Sequence, residues 1–111
     1  RALTVMSDWQ KVCSVTDIQL GKWYQTDLDG TIVVIYNLDG QFFAIEDVCT
    51  HDGAILSGCP LEGDEVVCPR HGARFSVKTG EALSAPAWEA TATFPIKIEN
   101  DHILIRDNRW D

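Results

Sequence analysis

The sequence predicts an all-β fold built from short antiparallel strands in a sandwich or barrel-like scaffold. Three observations lead to this prediction. Apolar and polar residues alternate in short stretches, as they do in half-buried strands. Asp-Gly pairs at Asp29-Gly30 and Asp39-Gly40 separate successive stretches, and this pair favours tight hairpin turns. No helical period of normal length is present, and the 111 residues are expected to form one domain, 1–111.

The first half of the chain contains four such stretches that follow one another closely. The third of them is rich in β-branched residues, which favour strands. In order, the predicted elements are strand 9–15, a capped turn at 16–21, strand 22–26, strand 31–36, a tight turn at 37–40 and strand 41–47.

The second half begins with an irregular, Gly-rich segment from Val48 to Gly63. Pro95 interrupts a later alternation and makes it an edge or bulged strand, with Phe94, Ile96 and Ile98 expected to face the core. The predicted elements here are strand 65–67, a hairpin of 74–77 and 81–83, a loop at 84–88, strand 91–99 and strand 102–106. The two ends of the chain therefore form the scaffold, and about residues 46–83 form an inserted subdomain.

The charge and hydropathy of the chain exclude two classes of partner. Seventeen acidic against nine basic residues give a net charge of −8, which disfavours nucleic acid because phosphates would be repelled. No apolar run is long enough to span a membrane. Six acidic residues lie in or beside the stretch that carries Cys and His, either as a solvated surface or as a rim that attracts basic partners. They are Glu46, Asp47, Asp52, Glu62, Asp64 and Glu65.

The first residues lack the pattern of a secretory signal, so we expect a cytoplasmic protein whose native start is Met6, with residues 1–5 preceding the native chain. A cytoplasmic setting argues against disulfides among the four cysteines. Cys13 lies in an apolar alternation and is expected to be a small core residue. Cys59 precedes Pro60 and is expected to lie in a loop, without an assigned role.

Two short clusters, Cys49-Thr50-His51 and Cys68-Pro69-Arg70-His71, each offer one thiolate and one imidazole. These are ligands for zinc, iron and copper. Sixteen residues separate His51 from Cys68, which is enough for the chain to leave and return. Two interpretations follow from the residues: a structural zinc site with all four ligands on one ion, or a two-iron cluster with two Cys on one iron and two His on the other.

The two motifs resemble the cluster loops of Rieske-type ferredoxins, which carry electrons in bacterial ring-hydroxylating dioxygenase systems. The resemblance rests on Cys49-Thr50-His51-Asp52-Gly53-Ala54 and on Cys68-Pro69-Arg70-His71-Gly72-Ala73-Arg74-Phe75, and it covers nearly the whole native chain. It also includes the Thr79-Gly80 hairpin and the Pro86 loop, which in the family packs over the cluster.

The resemblance implies one Rieske [2Fe-2S] cluster per chain, with Cys49 and Cys68 on the inner iron and His51 and His71 on the outer iron. It implies a monomeric electron carrier, not an enzyme, that takes electrons from a flavin-containing ferredoxin reductase. The carrier passes them to a terminal non-haem iron oxygenase of aromatic hydrocarbon catabolism by transient docking at the His51/His71 tip. The alternatives are a Rieske-like small subunit of a larger reductase, such as nitrite reductase, and a structural zinc module.

Four positions depart from the high-potential respiratory members of the family. Those members have a pair of disulfide-bonded Cys where Ala54 and Arg70 stand here, and Ser and Tyr where Ala73 and Phe75 stand here. Fewer hydrogen bonds to the cluster sulfurs stabilise the reduced state less. We therefore expect a potential near the low end of the Rieske range, about −150 mV.

Three further groups of residues have simpler expected roles. His102 is expected to be exposed in a terminal hairpin, and Glu46-Asp47 to be a solvated strand end. The four Trp residues are expected to pack in the core or its rim, although Trp88 is close enough to the Pro86 loop for a docking contact. They are Trp9, Trp23, Trp88 and Trp110.

Overall fold

A computed structural model of the protein describes residues 9–50, 52–69 and 72–109. Within these ranges the chain forms strands joined by turns and loops, and its one helical element is a 3₁₀ helix, Val15–Asp17, capped by Ser14. The all-β prediction is therefore confirmed. The strands are β1 Gln10–Ser14, β2 Trp23–Leu28, β3 Thr31–Leu38, β4 Gln41–Glu46, β5 Leu61–Glu62, β6 Glu65–Cys68, β7 Ala73–Ser76, β8 Ala82–Ser84, β9 Thr93–Phe94, β10 Ile96–Glu99 and β11 His102–Ile105.

The strands form three antiparallel sheets. The first has the order β1-β11-β10, the second β2-β3-β4-β9 and the third β5-β6-β7-β8. The third sheet, which we call the cluster sheet, lies in the sequence between β4 and β9, two neighbours of the second sheet. The cluster sheet is therefore an insertion into a scaffold whose strands come from both ends of the described chain.

Strand β3 lies at the centre of the fold and explains the apolar run that the sequence shows there. Val33 and Ile35 pack in a core with residues of the first sheet, such as Ile103, while Val34 and Tyr36 pack in a second core with residues of the cluster sheet. All four β3 side chains are fully buried. The second sheet is thus a middle layer, and a strand that is buried on both faces needs no polar alternation.

Three hairpins close with the two-residue turns that the sequence predicts or permits. Asp29-Gly30 joins β2 to β3, Asp39-Gly40 joins β3 to β4, and Asn100-Asp101 joins β10 to β11. Both residues of each pair have positive φ, which is the type I′ geometry that matches the twist of the flanking strands.

The prediction of a single strand over 91–99 with Ile98 facing the core is wrong. Pro95 cannot donate a ladder hydrogen bond, and the chain changes sheets at this residue: β9 pairs with β4, whereas β10 pairs with β11. Phe94 is buried as expected. Ile98 pairs with the buried Ile103, but it lies on an edge strand and remains 47% exposed.

Candidate metal centre

The thiols of Cys49 and Cys68 lie together in the core between the middle layer and the cluster sheet. Cys49 follows β4 after a short connection, and Cys68 is the last residue of β6, opposite Ala73 of β7. Both cysteines are essentially inaccessible to solvent, and neither is in a disulfide. The ligand atoms of Cys49, Cys68 and Asp52 all lie within 4.8 Å of one another. Two unlinked, buried thiols at this separation are able to serve one metal centre.

The loops that follow the two cysteines close in the same way. The backbone N–H of Gly53 donates to the Cys49 carbonyl at 2.7 Å, and the N–H of Gly72 donates to the Cys68 carbonyl at 2.9 Å. The two glycines have φ of 79° and 77°. A Cβ at either position would meet no atom within 4 Å, so glycine is needed for its left-handed backbone and not for space.

His51 and His71, the two predicted imidazole ligands, lie outside the described residues, as does Arg70. The structure therefore brings together the two predicted thiolate ligands, and the assignment of the imidazoles stays a prediction. Both histidines lie in the chain between a described cysteine and the glycine that closes its loop.

Apart from the Asp52 carboxylate, the two thiols lie in a mainly apolar core. Phe75 and Ala73, where hydroxyl-bearing residues stand in the respiratory members, are fully buried in the same core cluster as Cys49 and Cys68. Two hydroxyl groups on the flanking segments bond backbone carbonyls instead: Thr50 donates to Glu89 at 2.5 Å, and Ser84 donates to Gly72 at 3.2 Å.

The Pro86 loop is anchored against the first Cys loop. The Thr50 hydroxyl bond to the Glu89 carbonyl ties the two segments, and Ala87 is buried in the core that contains both cysteines. The next residue, Trp88, is 85% exposed, so the expectation that it packs in the core or its rim is wrong.

The expectation that Glu46-Asp47 is a solvated strand end is wrong for Asp47. Its side chain is 5% exposed, and Oδ1 accepts the backbone N–H of Leu56 at 2.6 Å and of Ser57 at 2.7 Å. Oδ2 accepts Nε2 of Gln25 at 2.7 Å. The sequence contains no local signal for this role, because the donors come from β2 and from a loop nine and ten residues further on.

The other clustered acidic residues are mostly paired with cations. Glu62 and Glu65 both contact Arg74, at 2.7 Å and 3.3 Å, and the bonds to these two carboxylates raise the pKa of Arg74. Asp64 is 4.0 Å from Lys78, and Glu46 is 3.7 Å from Arg109. Of the six acids, exposed Asp52 is the one whose carboxylate reaches the thiols, and the sequence singled it out only as part of the acidic group.

Cys13 and His102 lie apart from the thiol pair, whereas Cys59 packs against the core that contains it. Cys13 is buried in the core of the first sheet, as predicted, and burial together with Asp17 raises its pKa to about 11. Cys59 lies in a bend, and its Sγ donates to the Ile55 carbonyl at 3.6 Å. Burial raises the pKa of the Cys59 thiol, with smaller contributions from Asp47 and Cys49. His102 is half-buried, not fully exposed, and its Nδ1 is 2.9 Å from the Asn100 carbonyl.

Comparison with known proteins gives one consistent result. A family profile described as the Rieske [2Fe-2S] domain matches residues 8–95. The ferredoxin component of the naphthalene 1,2-dioxygenase system of Pseudomonas putida is 37% identical over 97 residues, which are 87% of this chain and 93% of that protein. The biphenyl dioxygenase ferredoxin subunit of Pseudomonas sp. (strain KKS102) is 39% identical over 100 residues, which are 89% of this chain and 92% of that protein.

A solved structure agrees with these sequence matches. It is described as a complex of reduced oxygenase and oxidized ferredoxin in carbazole 1,9a-dioxygenase. One of its chains matches this protein with a TM-score of 0.83 at 33% identity, over 89% of this chain and 93% of that chain.

A buried thiol pair between the middle layer and an inserted β-sheet, together with these matches, defines an iron–sulfur electron-transfer protein and not a catalytic enzyme. The chain belongs to the Rieske [2Fe-2S] domain family. Its cofactor is a Rieske-type [2Fe-2S] cluster, and the two buried thiols are the donor type that such a cluster requires. In the described part of the chain, the helical structure has neither the length nor the apolar character to cross a membrane.

Proposed function

We propose that this protein is the ferredoxin component of a multicomponent oxygenase system. It takes one electron from a flavin-containing reductase and gives one electron to a terminal non-haem iron oxygenase. The observation that carries the proposal is the match, over 87% and 89% of this chain, to relatives that are named as the ferredoxin component or subunit of a dioxygenase. A solved complex of a similar ferredoxin with its oxygenase supports the second of the two partners.

The proposed ligands are Cys49 and Cys68 for the inner iron and His51 and His71 for the outer iron. The bound cluster supplies a site for one electron, at a higher potential than an all-Cys cluster has, because neutral imidazoles replace two thiolates. The residues of this chain bury the thiols and hold both loops at fixed turns. We assign the whole chain, 1–111, to one domain whose cluster-binding subdomain covers about 46–83.

The protein itself makes and breaks no bond in this function. One electron enters and the same electron leaves, so the protein needs an exposed route to its cofactor and no substrate cavity. Two open grooves in the described residues lie away from the thiol pair, and neither is lined by Cys49 or Cys68. One lies between the β3–β4 turn and the β5–β6 turn, and the other lies over β4 and β9.

Docking at the end of the molecule that carries the two Cys loops is part of the proposal. Trp88 supports it: its indole is exposed, and its neighbour Ala87 packs in the core with both cysteines. Exposed Trp side chains are frequent anchors of protein interfaces. The protein is proposed to act as a cytoplasmic monomer, and the absence of a disulfide at any of its four cysteines, all of them in the described residues, fits a reducing compartment.

The proposed cluster has a potential near the low end of the Rieske range. The support is that Ala73 and Phe75 are fully buried next to the cysteines and offer no hydroxyl donor. A donor to a cluster sulfur would stabilise the reduced state, so its absence disfavours reduction.

The experiment compares purified wild-type protein with Cys68→Ser and Cys59→Ser. Wild type and Cys59→Ser should contain two irons per chain and a visible absorption that bleaches on one-electron reduction, whereas Cys68→Ser should lose both. Reduction by a flavoprotein reductase, followed by reoxidation with a terminal oxygenase, then tests the partners. A colourless wild-type protein that contains zinc, or a Cys59→Ser variant that loses iron as Cys68→Ser does, would contradict the proposal.

A further inference from the structure

The structure buries a carboxylate between the middle layer and the first cysteine of the proposed cluster site. Asp47 directly follows β4 and precedes Cys49 by two residues. Its side chain is 5% exposed, which is rare for an acidic residue unless its charge is compensated. A carboxylate buried to this extent needs hydrogen-bond donors that compensate its charge.

Three hydrogen bonds hold the Asp47 carboxylate. The N–H groups of Leu56 and Ser57 donate to Oδ1, and Nε2 of Gln25 donates to Oδ2. All three partners are donors, and an ionised carboxylate is an acceptor of this kind.

These bonds also fix the first Cys loop. Asp47 lies before Cys49, and Leu56 and Ser57 lie just beyond the turn in which Cys49 N–H donates to the Ala54 carbonyl at 2.7 Å. Through its carboxylate, Asp47 therefore joins the start of the loop to its end. The bond to Gln25 of β2 ties this closed loop to the middle layer.

The charge on Asp47 differs from that of the neighbouring acids in how it is compensated. Glu46 lies 3.7 Å from Arg109, and Glu62 lies 2.7 Å from Arg74. The three groups that hydrogen-bond the Asp47 carboxylate are neutral amides. Amide dipoles solvate a charge but do not cancel its field at a distance, and burial weakens screening by water and salt.

The negative charge of Asp47 contributes to the raised pKa of two neighbouring groups. Burial is the main cause of the raised pKa of the Tyr36 hydroxyl, and the Asp47 charge raises it further. The Cys59 thiol behaves in the same way, with Asp47 the second cause and Cys49 the third. Each of these ionisations adds a negative charge to the core that contains the cysteines. Reduction of a cluster at Cys49 and Cys68 adds a negative charge to the same core.

We propose that Asp47 is a positioning residue that closes the first Cys loop and, as a buried fixed negative charge, holds the reduction potential of the cluster low. The inference rests on the proposed ligand role of Cys49 and Cys68. It concerns one electron that enters and leaves, and no covalent bond changes. Because the charge is fixed, the effect needs no titration of Asp47.

The test is a potentiometric titration of wild type, Asp47→Asn and Glu46→Gln, followed by the visible absorption of the protein with its cluster. The Asn side chain keeps an acceptor for Leu56 and Ser57, and Gln25 can turn its amide to accept from the new NH₂ group. Asp47→Asn should raise the potential by a tenfold change in the one-electron equilibrium, about 59 mV. Glu46→Gln removes the same charge one residue earlier, from a partly exposed side chain that is paired with Arg109. It should shift the potential several times less than Asp47→Asn does.

Salt separates a buried charge from a surface charge. The shift of Asp47→Asn should persist in 1 M salt, while any shift of Glu46→Gln should shrink. A purely structural role for Asp47 predicts a loss of iron content or stability with an unchanged potential. An Asp47→Asn protein with full iron content and the wild-type potential would therefore overturn the electrostatic part of the inference.

A second variant covers the case in which Asp47→Asn does not retain its cluster. Gln25→Met keeps the carboxylate and removes its side-chain donor, so the potential should stay at or below the wild-type value. A raised potential in Gln25→Met would contradict the inference. If wild type itself shows no bleachable two-iron absorption, the proposed function has failed. If wild type shows it and the variants do not behave as stated, only this inference has failed.

Discussion

Gly80 joins the cluster sheet to the scaffold at a contact too close for any side chain, and Gly80→Ala is expected to destabilise the protein markedly. A Cβ at residue 80 would lie 2.1 Å from the Thr91 carbonyl oxygen and 3.2 Å from Cγ2 of Thr93. The backbone cannot easily move away, because Gly80 N–H donates to Ser76 and its carbonyl accepts from Thr91 N–H, both at 2.8 Å.

The magnitude follows from two costs and one gain. The left-handed backbone, with φ of 76°, costs a non-glycine residue about 1–2 kcal/mol. Overpacking against fixed backbone adds about 1–3 kcal/mol. The lower entropy of the unfolded Ala chain returns about 0.4–1 kcal/mol. The net loss for Gly80→Ala is therefore about 1–5 kcal/mol, which is a large part of the stability of a small domain.

Gly63→Ala is the matched control. Gly63 has φ of 64° in the β5–β6 turn, and a Cβ there would meet no atom within 4 Å. This variant bears the backbone cost without the clash, so the difference between the two variants isolates the overpacking. Circular dichroism melts of the cluster-loaded proteins measure the midpoints, and bleaching of the visible absorption reports cluster loss in the same samples. Equal midpoints for Gly80→Ala and Gly63→Ala would refute the steric argument.

Three further predictions concern docking, potential and pH. Trp88→Ala should raise the KM for the terminal oxygenase about tenfold, which corresponds to a loss of about 1.4 kcal/mol of binding free energy. The reduction potential should not change, and an unchanged KM would show that Trp88 is not part of the docking surface. Ala73→Ser should raise the potential in a redox titration, because a hydroxyl beside Cys68 offers a donor to the cluster; an equal or lower potential with full iron content would contradict this role. Burial raises the pKa of the Cys13 thiol from 9.0 to about 11, so the folded protein binds this proton more tightly than the unfolded chain does. The resulting contribution to the free energy of unfolding is fully present below pH 9 and is lost as pH rises from 9 to 11. Urea titrations should show wild type losing about 2–3 kcal/mol more than Cys13→Ala across that window, two pKa units at about 1.4 kcal/mol each, and equal losses would contradict the assignment.

The sequence predicted most of the scaffold because its signals are local. The Asp29-Gly30 and Asp39-Gly40 turns need positive φ at both residues, and Asp and Gly tolerate that conformation. The prediction failed at Ile98, where Pro95 sends the chain into a different sheet and the pairing partner decides the exposure. Alternation within one segment carries no information about which sheet the segment joins.

The same distinction between local and distant causes applies to the site. Cys49 and Cys68 could be paired from their motifs, and each motif contains a glycine, Gly53 or Gly72, that closes its turn. Asp47 could not be identified as a buried residue, because its burial depends on donors from β2 and from beyond the loop. The residues beside Asp47 in the sequence are those of an ordinary acidic strand end. Contacts with distant parts of the chain decide whether its carboxylate is solvated or buried.

The chain has no cysteine at Ala54 or Arg70, so a disulfide cannot brace the two Cys loops as in the respiratory members of the family. Hydrogen bonds from different directions take this role in the described residues. The first loop is closed by the Asp47 carboxylate and tied to the Pro86 loop by Thr50.

The second Cys loop is braced from β8. The Ser84 hydroxyl donates to the Gly72 carbonyl and accepts Arg74 N–H at 3.1 Å. A disulfide would add no charge to the site, whereas a carboxylate brace does. The carboxylate that closes the first loop is therefore also the charge that we propose to disfavour reduction, so in this chain the closure of that loop and the proposed low potential both depend on Asp47.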